Sequence, residues 1–353
     1  MYFKAFRPGQ EVVCMLIEGG YRKYDEVSFL RGFAITTVIF MHLIQVFVAR
    51  GNIPAWLRLT ASLGGTGGHV FVFCSGFGLY LSQLHHPLGF GEFMKRRFIK
   101  IYIPYIIVVL LTYLLPHGGD EAERLRRLLS HLFLYKMFFE EYEISFGLHF
   151  WFISTILQLY LVFLPLCRFR EKTSLRALVL LGLILSAVWW FLMEWTGRGV
   201  YRIWGSFFLQ YLWEFTLGMA AAEVMLNREN ITLSPWLLLL TAVAGLGLQA
   251  VMSMRGSMAA AFNDPPALFG YGSAALLLYQ YGRRLIRTLF LKLETISYEW
   301  YLVHIEVIAR FYSGPGRYIP GEVAKAVLAV LCSLAVAWVY ARLIRWLMQR
   351  LKI

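Results

Sequence analysis

The chain has 353 residues, of which 59% are hydrophobic and 16% are charged, and its formal net charge is +13. Soluble globular proteins are nearer to half apolar and a quarter charged, so this composition excludes an ordinary soluble domain. It favours an all-α, polytopic integral membrane protein. Lysines and arginines in cytoplasmic loops explain the positive charge of such a protein, and we expect no nucleic-acid partner.

Ten apolar stretches of the sequence are long enough to cross a bilayer. Each has about 17 to 25 residues, and a helix of that length spans the ~30 Å hydrocarbon core. Ten spans place both termini on one side, and a cytoplasmic N-terminus leaves most of the 34 lysines and arginines inside. We therefore predict a cytoplasmic segment at residues 1–28, a transmembrane domain at 29–347 and a cytoplasmic tail at 348–353. The predicted spans are 29–49, 68–86, 98–116, 147–167, 175–195, 203–226, 235–253, 265–281, 296–312 and 321–347.

The region 117–146 interrupts the alternation of spans and short loops. It lies outside the cytoplasm in this topology yet carries Arg124, Arg126, Arg127 and Lys136, and its apolar part is too short to cross a bilayer. We predict an interfacial or re-entrant segment that covers the outer face. The cysteines are scattered without CxxC or other ligand spacing, so we expect neither a disulfide nor a metal site. They are Cys14, Cys74, Cys167 and Cys332.

The first predicted span carries two ionisable residues, Arg31 and His42, in an otherwise apolar sequence. A charged group at the centre of a bilayer costs roughly 2.5 to 3.5 kcal/mol on insertion scales, so its presence needs a reason. Eleven residues of α-helix advance about 16.5 Å and end about 20° beyond three full turns, so both side chains lie on one face. A long, thin substrate along that face would contact both. Taken singly, Arg31 also suits an interfacial anchor and His42 a hydrogen-bonded packing residue.

The arginine, ten residues and histidine of the first span resemble a motif of the acyltransferase 3 family of integral membrane acyltransferases. The sequence departs from the family pattern in two motifs. Lys100 stands where the basic motif has its second arginine, and Ile156 and Leu157 stand where some members have paired acids. Further similar stretches follow in the family's order across most of the chain: GGTGGHVFVFCSGFGLYLS at 64–82, FMKRRFIKIYIPY at 93–105, LHFWFISTILQLYLVFLPL at 148–166, LWEFTLGMAAAE at 212–223 and SYEWYLVHIEVI at 297–308.

The resemblance implies an acyl-CoA-dependent O-acyltransferase that spans the inner, cytoplasmic membrane several times. It implies transfer of an acyl group, with acetyl expected, from cytoplasmic acetyl-CoA to a hydroxyl of an extracytoplasmic glycan or glycolipid. His42 then serves either as the general base or as a transient acyl acceptor, and the sequence leaves both roles open. The implied partners are acyl-CoA, the glycan acceptor and the lipid bilayer, and no metal is implied.

The predicted site residues form three groups. His42, Arg31 and His304 are assigned to catalysis. Basic residues at the inner ends of the spans suit the phosphates of coenzyme A, and the predicted cofactor-binding residues are Arg31, Lys95, Arg96, Arg97, Lys100 and Ser75. The predicted substrate-binding residues are Trp151, His149, His69 and Glu306.

Several of these residues also have plainer explanations. His304, His69 and His149 suit structural or interfacial positions, the basic loop suits ordinary cytoplasmic charge, and Ser75 suits close helix packing. Glu214 lies in the middle of a predicted span and requires a partner. A transporter or flippase for a lipid-linked glycan precursor would also combine many helices with intramembrane charge. A helper subunit without activity is a third alternative.

Overall fold

The computed structural model describes residues 24–48, 63–115, 120–227, 233–253 and 262–351, together with Pro54 and Leu57. Every regular element in these ranges is helical. Most of the predicted cytoplasmic segment, Cys14 and the last two residues of the predicted tail lie outside the described residues. The longer helices are α1 (Asp25–Val48), α2 (Gly67–His85), α3 (Phe90–Leu114), α4 (Glu121–Leu132), α5 (Trp151–Lys172), α6 (Leu175–Trp195), α7 (Phe208–Asn227), α8 (Pro235–Ser253), α9 (Asp264–Tyr281), α10 (Arg284–Glu294), α11 (Ser297–Ser313) and α12 (Glu322–Arg350).

Each of the ten predicted spans overlaps one of these helices. This confirms the all-α class, whereas ten crossings and cytoplasmic termini stay predictions. Helices α2, α7, α9 and α11 carry polar residues, including His69, Glu214, Asp264 and His304 respectively. Within the described ranges, six helices are long and apolar enough to cross a membrane: Asp25–Val46, Phe90–Leu114, Leu148–Lys172, Leu175–Trp195, Pro235–Ser253 and Glu322–Arg350.

Helices α2 and α7 cross with their backbones in close contact. A Cβ atom on Gly76 would lie 2.1 Å from a backbone carbonyl oxygen of α7, and one on Gly218 would lie 2.1 Å from a backbone carbonyl oxygen of α2. Glycines that permit such an approach are typical of helix pairs in membranes. The crossing sets the distance between the helices that carry His69 and Glu214.

The described part of the segment predicted as interfacial or re-entrant, residues 120–146, folds as α4 and short 3₁₀ turns, and His131 holds it against α3. The His131 Nε2–H donates to the carbonyl oxygen of Ser145 at 3.0 Å, so Nδ1 accepts from the hydroxyl of Tyr105 at 2.6 Å. Burial lowers the pKa of His131 to about 3, so the ring is neutral at neutral pH and both bonds are kept. The segment is therefore a docked, folded element rather than a spanning helix.

Helix α10 is an additional amphipathic helix that packs on the start of α1. A Cβ atom on Gly32 would lie 1.9 Å from the carbonyl oxygen of Phe290, and the Phe290 ring meets the Phe29 ring edge-on at 5.2 Å. Close contact at this point fixes the end of α10 relative to α1. It places Glu294 beside Arg31.

Candidate active site

A cavity of about 1310 Å³ lies among the long helices and is lined by most of the predicted site residues. His304 is fully buried behind the lining. Lys95 and Glu306 do not line it. Lys95 is exposed on α3, and Glu306 pairs with Arg310 on its own helix. The predicted residues that line the cavity are Arg31, His42, His69, Ser75, Arg96, Arg97, Lys100, His149 and Trp151.

Three of the basic side chains that line this cavity, Arg31, Arg97 and Lys100, lie near one another. Lys100 interacts electrostatically with Arg97 and with Arg31. Arg31 donates to Glu294 at 3.0 Å, and the Arg97 Nε is buried with no hydrogen-bond partner in the described part of the chain. These three cations outnumber the two carboxylates beside them, those of Glu294 and Glu299, by one charge. The net positive charge suits a polyanionic ligand.

His42 and His304 form a hydrogen-bonded pair, with 2.8 Å between His42 Nδ1 and His304 Nε2. The His304 Nδ1 lies 2.8 Å from the carbonyl oxygen of Tyr301 and 3.1 Å from that of Trp300. A carbonyl oxygen only accepts, so neutral His304 carries its proton on Nδ1, and its Nε2 accepts from the His42 Nδ1–H. His42 therefore keeps its lone pair on Nε2, which is the state that a general base requires.

His149 adds a third imidazole to this pair. Its ring centroid lies 5.3 Å from that of His304 and 6.4 Å from that of His42. The Nε2–H faces the carbonyl oxygen of Leu302 at 3.5 Å, and Nδ1 is buried without a partner among the described residues. Gly147 adopts a φ of +128°, and a Cβ there would lie 2.6 Å from the His149 ring, so only glycine permits this placement.

A second polar cluster joins α2, α7 and α9. The His69 Nδ1 lies 2.6 Å from Glu214 Oε1, and its Nε2 lies 3.5 Å from Asp264 Oδ1. The partner that Glu214 requires is therefore His69. The three residues offer ligand atoms within 4.8 Å of one another, yet the two nitrogens of one ring face different carboxylates. That is the geometry of an imidazole hydrogen-bonded on both sides, whereas a metal would take one nitrogen. The absence of a metal stays a prediction.

Trp151 holds a cation in the cavity wall. The guanidinium carbon of Arg202 lies 3.8 Å from the centroid of a Trp151 ring, and Tyr211 stacks on Trp151 with 5.6 Å between centroids. Arg202 and Tyr211 both line the cavity. A guanidinium stacks well on an aromatic face, so part of the Trp151 surface is already used by the protein itself.

The sequence did not single out Glu294, Asp264 or Arg202. Glu294 ends α10, Asp264 begins α9, and Arg202 begins a single helical turn, and charged residues at helix ends are ordinary. Arg31 and Glu294 are 263 positions apart, so no local pattern connects them. The available signal was an acidic residue directly before a predicted span, at Asp264.

The helices and the cavity are those of a helical membrane protein. Arg31 and His42 line one cavity, and His304 supports His42 from behind the lining. The chain belongs to the acyltransferase 3 family, because the model of that family, described as an acyltransferase domain, matches residues 24–342. The match confirms the resemblance and assigns the chain to the membrane acyltransferases. Neither a curated protein nor a solved structure matches the chain.

Proposed function

We propose that the protein transfers an acyl group, acetyl in the simplest case, from acyl-CoA to a hydroxyl of an extracytoplasmic glycan or glycolipid. The observation that carries this proposal is that Arg31 and His42 line the same cavity. They lie about 16.5 Å apart along α1, a distance that an extended pantetheine arm covers. The phosphates of the donor would then lie at Arg31 while its thioester reaches His42.

In this proposal His42 acts as the general base. Its Nε2 takes the proton of the acceptor hydroxyl as the hydroxyl oxygen attacks the thioester carbonyl carbon. The carbon–sulfur bond then breaks, and the departing thiolate takes the proton from His42. His304 positions His42 by fixing its tautomer, as the third member of a catalytic triad does. The other role, a transient acyl-imidazole, predicts that acetyl-CoA alone leaves a mass increment on His42.

Three residues support a donor site in the basic part of the cavity. Arg97 lines the cavity, where its guanidinium supplies a fixed positive charge for a phosphate. Lys100 supplies further positive charge along the same lining. Ser75 also lines the cavity, with its hydroxyl 3.5 Å from that of Tyr160, and we assign it to binding of the acyl-CoA donor in this basic part.

Binding of acetyl-CoA to the purified protein in lipid nanodiscs tests this donor site. Replacing Arg97 and Lys100 together with alanine should weaken binding about 100-fold or more, because it removes two charge-assisted contacts of about 1.5 to 3 kcal/mol each. Arg168→Ala is the matched control, since Arg168 is exposed on α5 and does not line the cavity. Unchanged binding in the double variant would contradict the proposal. Glycan movement without acyl transfer would favour the transporter instead.

A further inference from the structure

Helix α10 connects the end of α9 to the start of α11 and packs against the beginning of α1. The ring centroid of Phe290 on α10 lies 5.2 Å from that of Phe29 and 5.3 Å from that of Phe33. Both partners belong to the early turns of α1, a helix that is long and apolar enough to cross a membrane. A helix beside the early turns of a span lies near the bilayer surface, where the headgroups meet water.

The side of α10 that points away from the protein carries two adjacent stripes. Arg284, Thr288 and Lys292 are spaced four residues apart and form the first stripe, because every fourth residue advances only about 40° around a helix. Leu285 and Leu289 form the second stripe, about 100° from the first by the same geometry. All five residues are exposed, and the two leucines are 79% and 50% exposed. The outward side of α10 therefore has a cationic edge next to an apolar edge.

The cations of this outward side are not used by the protein itself. Arg283, which directly precedes α10, Arg284 and Lys292 are exposed, and none of them forms an ion pair with another residue in the described ranges. Arg287 differs from them, since its Nε and Nη2 donate to the carbonyl oxygen of Tyr279 at 3.0 and 2.7 Å. Arg287 thus holds the end of α9, whereas the three exposed cations remain for a partner outside the chain.

The acidic residues near α10 do not cancel its positive charge. Glu294 is already paired with the arginine of α1. Asp25 and Glu26, at the start of α1, interact electrostatically with Tyr279, on whose ring the Arg287 guanidinium stacks at 4.6 Å. The four basic residues between positions 283 and 292 exceed these two carboxylates by two charges. The surface is therefore complementary to an anion.

We propose that α10 is a binding surface for anionic phospholipids. Leu285 and Leu289 enter the acyl-chain region, while Arg283, Arg284 and Lys292 bind the phosphates of the headgroups. Helices that combine leucines on one side with basic residues on the other bind anionic membranes in this way. A free phosphate compound would use the cations but leave the leucine stripe in water, so the two stripes together favour a lipid. Lipid binding at this surface requires no acyl transfer.

Native mass spectrometry of the full-length protein, titrated in detergent with phosphatidylglycerol, tests this surface. Phosphatidylcholine with the same acyl chains has no net charge, and glycerol phosphate is the headgroup without the chains. Arg284→Gln combined with Lys292→Gln should weaken binding of phosphatidylglycerol about fivefold for each charge removed, and so about 25-fold in all. Binding of phosphatidylcholine should not change in this variant. Both residues are exposed, so their replacement should not disturb the fold.

Two further variants separate this surface from general positive charge. Leu285→Gln combined with Leu289→Gln removes the apolar stripe and should weaken binding of both lipids. Lys172→Gln combined with Arg176→Gln is the matched control, because these are two exposed basic residues where α5 ends and α6 begins. The control should bind phosphatidylglycerol as the unchanged protein does.

Four outcomes would overturn the proposal. The unchanged protein could bind phosphatidylglycerol no better than phosphatidylcholine, or the variant of the cationic stripe could bind it undiminished. An equal loss in the control would show that any basic residue suffices. Glycerol phosphate binding as tightly as the lipid would show a site for free phosphate compounds instead.

Discussion

The hydrogen bond between His42 and His304 leads to a quantitative prediction. His304→Ala removes the acceptor of the 2.8 Å bond from the His42 Nδ1–H. A buried donor without a partner costs about 1 to 3 kcal/mol, and the lone pair of His42 is no longer held on Nε2. At about 1.36 kcal/mol for each factor of ten, kcat should fall about 5- to 160-fold. His42→Ala, which removes the base itself, should lower kcat by about 10²- to 10⁴-fold.

Transfer of radiolabelled acetyl groups from acetyl-CoA to a glycan extract measures this effect in nanodiscs. His304→Gln should recover most of the lost rate, because a glutamine oxygen can accept from His42 where the imidazole Nε2 did. The KM for acetyl-CoA should not change, since His304 lies behind the cavity lining. In a His42→Ala background, adding His304→Ala should have no further effect, because the two residues act as a unit.

Three outcomes would refute the role of His304. The first is a folded His304→Ala protein with full kcat, and the second is a His304→Gln protein no faster than the alanine variant. The third is a change confined to the KM for acetyl-CoA. Any of these would show that His304 does not act by orienting His42.

Three other residues give shorter predictions. Glu294→Gln should tighten acetyl-CoA binding up to about fivefold in calorimetry. The reason is that Glu294 competes with the ligand for the partly exposed Arg31, in a pair worth about 1 kcal/mol. Weaker binding would mean that Glu294 positions Arg31. Gly218→Ala should lower the thermal unfolding midpoint, since its Cβ would overlap the α2 backbone; an unchanged midpoint would contradict that close crossing. The pKa of His131 is 6.5 when its segment is undocked and about 3 when the segment is docked. Docking should therefore weaken as the pH falls between those values, by about 1.4 kcal/mol per pH unit. Hydrogen exchange measures that slope, and His131→Gln should abolish it.

Helical periodicity was sufficient to place most of the fold and part of the site. Counting eleven residues from Arg31 to His42 put both on one helix face, and the structure places both in one cavity lining. Each of the ten spans predicted from hydropathy overlaps a long helix, because the length of an apolar stretch can be read from the local sequence. The partners of these side chains depend on which helices pack together. The contact of His69 with Glu214 spans 145 positions, and no local pattern contains that information.

The polar character of α2 and α7 has a consequence for how the protein is made. At roughly 5 to 20 residues per second, the 145 positions between His69 and Glu214 take roughly 7 to 30 seconds to synthesise. During that delay α2 lacks the carboxylate that satisfies its imidazole, so its entry into lipid is poorly favoured. The nascent chain therefore requires the insertion machinery, or a neighbouring helix, to shelter α2 until α7 emerges from the ribosome.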